Sequence, residues 1–443
     1  MIKRTDPSDD GPRVSWRQDD GWLAIASVAL IFAGFALYGA MRPQTALIFT
    51  LLWALLAGVC LVRPRLRDAA LRPAGLGGPA LLFAVVVGAA LWSLTPWVPG
   101  GPHPSWAYLE ISPGAGTINK SATLIEILKL VGLGCVFLVG LAAGASDNRA
   151  RLALNMILGV GAPYALWAFF AFVVGRGPGE SRLEASFLSA NTAGTIFAAL
   201  FVLSAGPIVR TLRSEDRGRL TGAAPYGIAA LLFLGCLFMT ASRGGFVAAL
   251  CGLAVFAVLQ VMAGRARWSR ALAGSAAAAL LILAFLAFGG DYLITRLLGA
   301  SRNVAERADI ARIHWAAVQD APLLGYGLGT FDDLNRMLLS AGNFDHLWNI
   351  RAAHNIYLSW LEQAGMVGGL SMFACIGLLL WNTVRATVQR TRTTNLLFAL
   401  VGVDVVFLAH GVTDFALEMF SVAAFWSFLL GLQFSLAQGR SRR

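Results

Sequence analysis

The apolar residues of this chain come in blocks of roughly twenty, the length at which a helix crosses the ~30 Å hydrocarbon core of a bilayer. Glycine, proline or arginine separates one block from the next. Only 13% of the residues are charged, against about 25% in soluble domains. The pattern predicts an all-α integral membrane protein and excludes both a soluble multidomain enzyme and a disordered chain.

The blocks predict about twelve transmembrane helices, near residues 22–40, 44–62, 76–94, 123–144, 152–174, 190–208, 225–241, 245–263, 271–289, 366–384, 394–412 and 418–436. The expected organisation is a cytoplasmic tail (1–21), helices one to nine (22–289), a large periplasmic loop (290–365), helices ten to twelve (366–436) and a cytoplasmic tail (437–443). The loop has helical spacing in DYLITRLLGASRNVAERADIARIHWAAVQDA, followed by the turn-rich stretch PLLGYGLGTFDD.

The basic residues predict the orientation of the helices. If the N-terminus is cytoplasmic, the inside segments carry 23 Lys and Arg and the short outside segments carry five. This bias puts both termini in the cytoplasm. The net charge of +11 is spread over short clusters between apolar blocks, so we expect a lipid bilayer as the partner and no nucleic acid. All five cysteines lie inside apolar blocks without paired spacing, which argues against a disulfide framework.

Two outward-facing arginines are candidates for binding an anion. Arg243 lies in TASRGGFVAAL, in a short turn between the predicted spans seven and eight. A snorkelling arginine is the structural alternative, but two following glycines and a helix N-terminus favour an anion. Arg182 lies between Glu180 and Glu184, so a solvated ion pair is its alternative. Together the two guanidiniums match the oxygens of a pyrophosphate.

Two histidines, each with a polar neighbour, have both a structural and a catalytic interpretation. His354 and Asn355 open the amphipathic run HNIYLSWLEQAG, where Asn355 fits a helix N-cap. A neutral imidazole at that helix mouth can alternatively accept a proton from a hydroxyl. His410 precedes Asp414 by four residues, so both share a helical face if the helix continues. Asp414 then orients a base or an arginine, or is simply a turn residue.

Other charged residues within the spans point to structure. Glu126 and Lys129 are three residues apart and are expected to pair on one helical face. Asp404 lies deep in a span, where it needs a partner that the sequence does not identify. His, Asp and Glu show no metal-ligand spacing, and the P-loop, the dinucleotide-binding fingerprint and the GxSxG motif are absent from the sequence. We therefore predict that the protein uses no metal ion and no cofactor.

Several of these segments together resemble the O-antigen ligase and Wzy polymerase superfamily of bacterial envelope glycosyltransferases, a group of GT-C-type membrane enzymes. The segments are TASRGGFVAAL, ERADIARIHWAAVQDAPLLGYGLGTF, AAHNIYLSWLEQAGMVGG, RLEASFLSANTAGT and AHGVTDF. The resemblance covers residues 170–420 by motif, and the first five spans by topology alone.

The resemblance implies an inverting, metal-independent transfer of a glycan from undecaprenyl pyrophosphate to an acceptor hydroxyl. The site would face the periplasm from the bacterial inner membrane. Arg182 and Arg243 match the pyrophosphate-binding arginines of the family, and His354 matches its essential histidine, which is the general base or positions the acceptor hydroxyl. Arg312 and Asn355 match more loosely. The leading prediction for the acceptor is lipid A–core, as in O-antigen ligation.

Other functions stay open at this stage. A polymerase, which adds to a growing polysaccharide, is close behind, because the loop PHPSWAY is similar to exopolysaccharide-polymerase-like members. Transfer of the glycan to a protein is a third possibility within the family. A secondary transporter would need repeated halves and interrupted helices in matching positions, and the sequence offers only Asp404 as a deep acid.

Overall fold

The computed structural model describes residues 21–175, 182–214, 218–265, 300–390 and 393–439, with the backbone alone for 300–306. All regular secondary structure in these ranges is helical. The helices are α1 (Gly21–Ala36), α2 (Pro43–Val62), α3 (Pro64–Leu71), α4 (Gly77–Ser93), α5 (Ser105–Tyr108), α6 (Lys120–Gly144), α7 (Asp147–Gly175), α8 (Ala190–Leu212), α9 (Arg219–Met239), α10 (Arg243–Met262), α11 (Ala300–Asp320), α12 (Phe331–Leu338), α13 (Phe344–Leu347), α14 (Ile356–Val388), α15 (Thr394–Gly411) and α16 (Phe420–Gln438). Two 3₁₀ helices cover Tyr38–Ala40 and Ala416–Glu418.

The described part of the chain contains nine helices long and apolar enough to cross a membrane: α2, α6 to α10, and α14 to α16. The apolar helices α1 and α4 are shorter, with 16 and 17 residues. These eleven helices fall on eleven of the predicted spans, so the all-helical, multi-pass membrane architecture is confirmed. The predicted ninth span, 271–289, lies outside the described residues.

The centre of the bundle is formed by α8, α15 and α16. The apolar stretch of α16 is 94% buried, whereas that of the peripheral α7 is 28% buried. Helix α16 packs on α6, and α15 packs on both α8 and α10. The start of α10 and the end of α15 are thereby held at the same end of the bundle.

Small residues allow two of these helix pairs to approach closely. A methyl group added at Gly144 of α6 would overlap the backbone of Leu432 in α16. One added at Gly252 of α10 would lie 2.6 Å from the carbonyl oxygen of Gly402 in α15. Glycine at these positions brings the helix backbones into contact, which is the usual way that membrane helices gain packing energy.

The buried charges have partners. Asp404 accepts hydrogen bonds from the indole nitrogen of Trp426 at 2.9 Å and from the amide of Gln433 at 2.7 Å. The α15–α16 interface therefore supplies the partners that the sequence could not identify. The predicted pairing of Glu126 with Lys129 is confirmed, with 2.5 Å between Oε1 and Nζ.

The segment between α10 and α14 contains the expected helix and turn. Helix α11 covers ERADIARIHWAAVQD, and the turn after it has positive φ angles at Gly325, Gly327 and Gly329. His314 of α11 meets Glu362 of α14, with 2.9 Å between Nδ1 and Oε1 and both side chains fully buried. This pair fastens α11 to the beginning of α14.

Helix α14 starts earlier than the span predicted at 366–384, since it begins at Ile356. The amphipathic run predicted to precede the span is its first part, separated from the second by Gly365 with φ 61° and ψ −170°. The amides of the two residues after Gly365 donate to the carbonyls of Pro322 and Leu323. The break thus exposes backbone groups of α14 to the turn that follows α11.

Candidate functional site

Arg182 links the beginning of α8 to the end of α9. Its Nε donates to the carbonyl of Thr240 at 2.8 Å, and its Nη2 donates to Oδ1 of Asn191 at 2.6 Å. Ser189 caps α8 by accepting a hydrogen bond from the amide of Thr192. The guanidinium is half-buried and held on two sides, so its position is fixed before any ligand arrives.

Arg243 is the first residue of α10, after a turn of three residues that follows Met239. This confirms the predicted short turn. Ser242 caps the helix by accepting a hydrogen bond from the amide of Gly245 at 3.2 Å. The side chain of Arg243 is half-buried and begins at the positive end of the α10 dipole, where an anion is favoured.

His410 ties the starts of α8 and α10 to the end of α15. Its Nδ1 lies 2.6 Å from the hydroxyl of Thr195, and its Nε2 lies 3.4 Å from the hydroxyl of Ser242. A methyl group at Gly244 would lie 2.6 Å from the His410 ring, so this glycine lets α10 approach the histidine. His410 is 2% exposed, so it joins these helix ends from a buried position, and its supporting role stays a prediction.

Asp414 does not share a helical face with His410, because α15 ends at Gly411. The carboxylate folds back instead and accepts a hydrogen bond from the amide of Ala416 at 3.1 Å. Burial raises the pKa of Asp414 to about 6, although backbone N–H groups, the charge of Arg307 and the side chain of Asn191 oppose the shift. Asn191 therefore stands between Asp414 and Arg182.

Arg307 of α11 is a site residue that the sequence analysis missed. Its Nη1 donates to the carbonyl of Thr413 at 3.2 Å. Its charge adds to the effect of burial in lowering the pKa of His354, and opposes the effect of burial in raising the pKa of Asp414. The spacing of acidic residues in the sequence could have favoured Arg307 over Arg312 as the arginine that is free to reach a site. Arg307 has no acidic residue three or four positions away, whereas Arg312 follows Asp309 by three.

Arg312, the arginine singled out from the sequence in this helix, lies on an exposed face of α11. Its Nη2 contacts Oδ1 of Asp309 at 3.1 Å, and 79% of its side chain is exposed. Five residues along a helix amount to a rotation of roughly 140° beyond one full turn, so Arg307 and Arg312 point in different directions. The structure brings Arg307, and not Arg312, to the other candidate residues.

His354 stands immediately before the first helical turn of α14, with φ 52°. Its ring packs edge-on against Phe415, with centroids 5.1 Å apart. Its Nδ1 is buried and has no hydrogen-bond partner among the described residues. Burial, and then the charge of Arg307, lower the pKa of His354 to about 4. The imidazole is therefore neutral near pH 7.

Asn355 is the N-cap of α14. Its Oδ1 accepts hydrogen bonds from the amides of Tyr357 at 3.0 Å and Leu358 at 3.2 Å. This is the capping geometry that the sequence allowed. The side-chain oxygen is occupied by the helix, so Asn355 contributes by fixing the chain direction at His354.

A second polar group at this end of the bundle was also missed. Glu418 accepts a hydrogen bond from the hydroxyl of Ser359 at 2.7 Å. Burial raises the pKa of Glu418 to about 7, and the charge of Glu126 adds to the effect while that of Lys129 opposes it. The local sequence could not predict this role of Glu418, because Ser359 is 59 positions away and Glu126 and Lys129 are almost 300 positions away.

These contacts bring the segments that carry Arg182, Arg243, Arg307 and the neutral His354 to the same end of the bundle, and we call these four residues the cationic cluster. Successive contacts connect its members: Arg182 bonds to the turn before Arg243, and Arg307 bonds to the turn between His410 and Asp414. Such a cluster can hold a polyanion and offer a proton acceptor next to it. Within the described ranges, no three His, Cys, Asp or Glu side chains come close enough to form a metal site.

Comparison with known protein families identifies part of the chain. Residues 228–374 match the family model Wzy_C, described as O-antigen ligase. The matched segment includes Arg243, Arg307 and His354, whereas Arg182 lies outside it. No curated protein matches the chain. The match supports the resemblance noted from the sequence over residues 228–374.

Proposed function

We propose that the protein transfers a glycan from undecaprenyl pyrophosphate to an acceptor hydroxyl on the periplasmic side of the bacterial inner membrane. The acceptor that we propose is lipid A–core, which makes the protein an O-antigen ligase. The observation that carries the proposal is the cationic cluster, in which Arg182 bonds to the turn before Arg243 and the charge of Arg307 acts on the neutral His354. The family match supports the same class of reaction.

In the proposed ground state, the guanidiniums of the cationic cluster bind the donor's diphosphate. Arginine pairs with phosphate oxygens through two parallel hydrogen bonds, and such charge-assisted bonds are stronger than neutral ones. Arg182 is already held by Thr240 and Asn191, so little side-chain entropy is lost when the donor binds. The acceptor hydroxyl then lies on the face of the sugar opposite to the diphosphate.

In the proposed reaction, the acceptor oxygen attacks the anomeric carbon and the bond from that carbon to the diphosphate oxygen breaks. The configuration inverts, the hydroxyl proton passes to His354, and undecaprenyl pyrophosphate leaves. Negative charge grows on the leaving oxygen, where fixed guanidiniums stabilise it without reorganisation. The arginines thereby take the part that a divalent cation takes in other diphosphate chemistry, and we propose that no metal ion is needed.

The low pKa of His354 fits this sequence of events. The free imidazole is neutral and can accept a proton, but burial, and then the charge of Arg307, lower its pKa and make it a weak base. A bound diphosphate brings negative charge to Arg307 and offsets its effect on the ring. His354 therefore becomes more basic when the donor is bound, which moves its pKa toward the range at which proton transfer is efficient.

The test uses protein purified into nanodiscs and supplied with an undecaprenyl-pyrophosphate-linked glycan, with and without lipid A–core. Released undecaprenyl pyrophosphate and product size are measured, beside the variants His354→Ala and Arg243→Ala. We expect one glycan to be joined only when lipid A–core is present, and neither variant to transfer it. Elongated lipid-linked glycan without lipid A–core would instead identify a polymerase. Full activity of either variant would remove that residue from the mechanism.

A further inference from the structure

A cavity of 440 Å³ lies at the end of the bundle opposite to the cationic cluster. Three of the described arginines line it: Arg151 near the start of α7, Arg210 in the last turn of α8 and Arg265 just after α10. The rest of its wall is the beginning of α15, from Thr393 to Leu396. None of the described residues that line the cavity is acidic, and we call it the basic cavity.

Helix α15 connects the two ends of the bundle. It begins at Thr394, which lines the basic cavity, and its 18 residues span about 27 Å, close to the ~30 Å core of a bilayer. Its last turn carries His410, which contacts the starts of α8 and α10. The basic residues of the sequence predict that the end with the cavity faces the cytoplasm. The basic cavity and the proposed transfer site therefore lie at opposite membrane surfaces.

The turn that ends α10 fixes the position of Arg265. The amide of Arg265 donates to the carbonyl of Gln260 at 2.9 Å, and Gly264 has a positive φ of 65°, which is a common way for a helix to end. The buried side-chain amide of Gln260 donates to Oδ1 of Asn395 at 3.0 Å. Hydrogen bonds thus hold the end of α10 and the beginning of α15, two walls of the cavity, together before any ligand arrives.

The charges of the basic cavity suit an anion with several oxygens. Guanidinium groups bind phosphate oxygens through pairs of charge-assisted hydrogen bonds, and here three of them attract the same anion. The beginning of α15 adds the positive end of a helix dipole. The volume falls within the ~300–1,000 Å³ that is usual for ligand sites, so a phosphate group and the atoms next to it can enter.

Exposed apolar side chains next to the basic cavity favour a phosphate that belongs to a lipid. Leu212, two residues after Arg210, is 39% exposed, and Met262, three residues before Arg265, is 67% exposed. A phosphodiester between the arginines would therefore have apolar protein surface nearby for its acyl chains. Basic pockets between membrane helices on the cytoplasmic side are a usual location for the headgroups of anionic lipids.

We propose that the basic cavity binds the phosphate group of an anionic phospholipid from the leaflet on that side of the membrane. One phosphodiester would contact arginines of α7, α8 and the end of α10, and would join them to the beginning of α15. Because α8 and α15 form the centre of the bundle, the bound lipid stabilises the folded state. The proposal does not depend on the proposed function, since no residue of the cationic cluster lines this cavity.

The test measures thermal unfolding of the full chain in a mild detergent during titration with dioleoylphosphatidylglycerol. Two comparison ligands are dioleoylphosphatidylcholine, whose phosphate is neutralised by its own choline, and inorganic phosphate, which has no acyl chains. We expect phosphatidylglycerol to raise Tm and the other two to change it little. An equal rise with phosphatidylcholine would overturn the assignment to an anionic lipid. An equal rise with inorganic phosphate would overturn the assignment to a lipid.

Arginine variants show where the lipid binds. In Arg210→Gln/Arg265→Gln we expect the Kd of phosphatidylglycerol, obtained from the titration, to rise at least about tenfold, because one arginine near anionic lipid contributes roughly a factor of five. The matched control is Arg219→Gln/Arg385→Gln, which removes two exposed arginines at the same end of the bundle that do not line the cavity. Its Kd should stay close to that of the wild type. Equal increases in the two double variants would overturn the proposal.

A labelling experiment covers the case in which Arg210→Gln/Arg265→Gln does not fold. Wild-type protein in nanodiscs is irradiated with phosphatidylglycerol that carries a diazirine close to its glycerol headgroup, and labelled peptides are identified by mass spectrometry. We expect labels at the end of α8 around Leu212 and at the beginning of α15 around Leu396. Labels confined to other helices would overturn the proposal. So would equal labelling of these peptides by a diazirine phosphatidylcholine.

Discussion

Burial, and then the charge of the Arg307 guanidinium nearby, lower the pKa of the His354 imidazole to about 4. The two side chains come from α11 and from the residue before the N-cap of α14. Arg307 thus adds to the effect of burial in keeping His354 neutral. In the proposed reaction, Arg307 therefore has two effects: it binds the diphosphate and it influences the basicity of the proton acceptor.

The pH dependence of kcat/KM should separate His354 from Asp414. A histidine with a lowered pKa accepts protons at all pH values above that pKa, so we expect kcat/KM to fall only as the pH drops through about 4. Burial raises the pKa of Asp414 to about 6. A decline near pH 6 in the wild type, together with a low and pH-independent activity of Asp414→Asn, would show that transfer requires the ionised carboxylate of Asp414.

Arg307 and Arg312 provide a matched pair on one helix. We expect Arg307→Gln to lower kcat/KM by about 10²–10³-fold, the usual cost of removing one group that stabilises a transition state. Arg312→Gln loses only an exposed ion pair with Asp309 and should stay within about twofold of the wild type, as such pairs contribute little. Glycan transfer in nanodiscs measures both. Equal losses in the two variants would contradict the assignment of Arg307.

Gly244 should be intolerant of even a methyl group. In Gly244→Ala the new methyl would lie 2.6 Å from the His410 ring and 2.8 Å from the hydroxyl of Thr413, so one of them must move. We expect transfer to drop by at least about tenfold, because small displacements of catalytic groups are costly. Gly235→Ala on α9 is the control, since an added methyl there meets nothing within 4 Å. The prediction fails if the two variants are equally active.

Asn355 should contribute to function by capping α14 and not by taking part in the transfer reaction. Asn355→Ser retains a side-chain acceptor for the first amides of α14, so we expect stability and transfer close to those of the wild type. Asn355→Ala removes it and should lower the free energy of unfolding by about 1 kcal/mol, measured by denaturation in detergent. A Ser variant that is stable yet inactive would mean that the amide of Asn355 itself touches substrate.

Local features of this site were predictable from the sequence. The turn before Arg243, the N-cap at Asn355 and the pairing of Glu126 with Lys129 each depend on residues within four positions of one another. Helical spacing and capping preferences act over that range. The apolar blocks likewise predicted the helices, because bilayer thickness sets their length.

Features that join distant segments were not predictable. Asp404 finds its partners on α16, and Arg307 reaches Thr413 across 106 positions. Which arginine of α11 faces the site depends on how that helix is rotated, and the rotation is set by packing against α14. Asp414 leaves the helical face of His410 because α15 stops three residues earlier. Such outcomes follow from tertiary contacts that a single sequence does not encode locally.

The break at Gly365 has a mechanical consequence. On its N-terminal side, the carbonyls of Glu362 and Gln363 bond to the turn after α11, and on its C-terminal side two amides bond to the same turn. Together with the buried contact of His314 and Glu362, these bonds join α11 and the first part of α14 into one structural unit. Arg307 lies on α11 and His354 directly precedes α14. Any movement of this unit that admits or releases a substrate must therefore move the cation and the proton acceptor together.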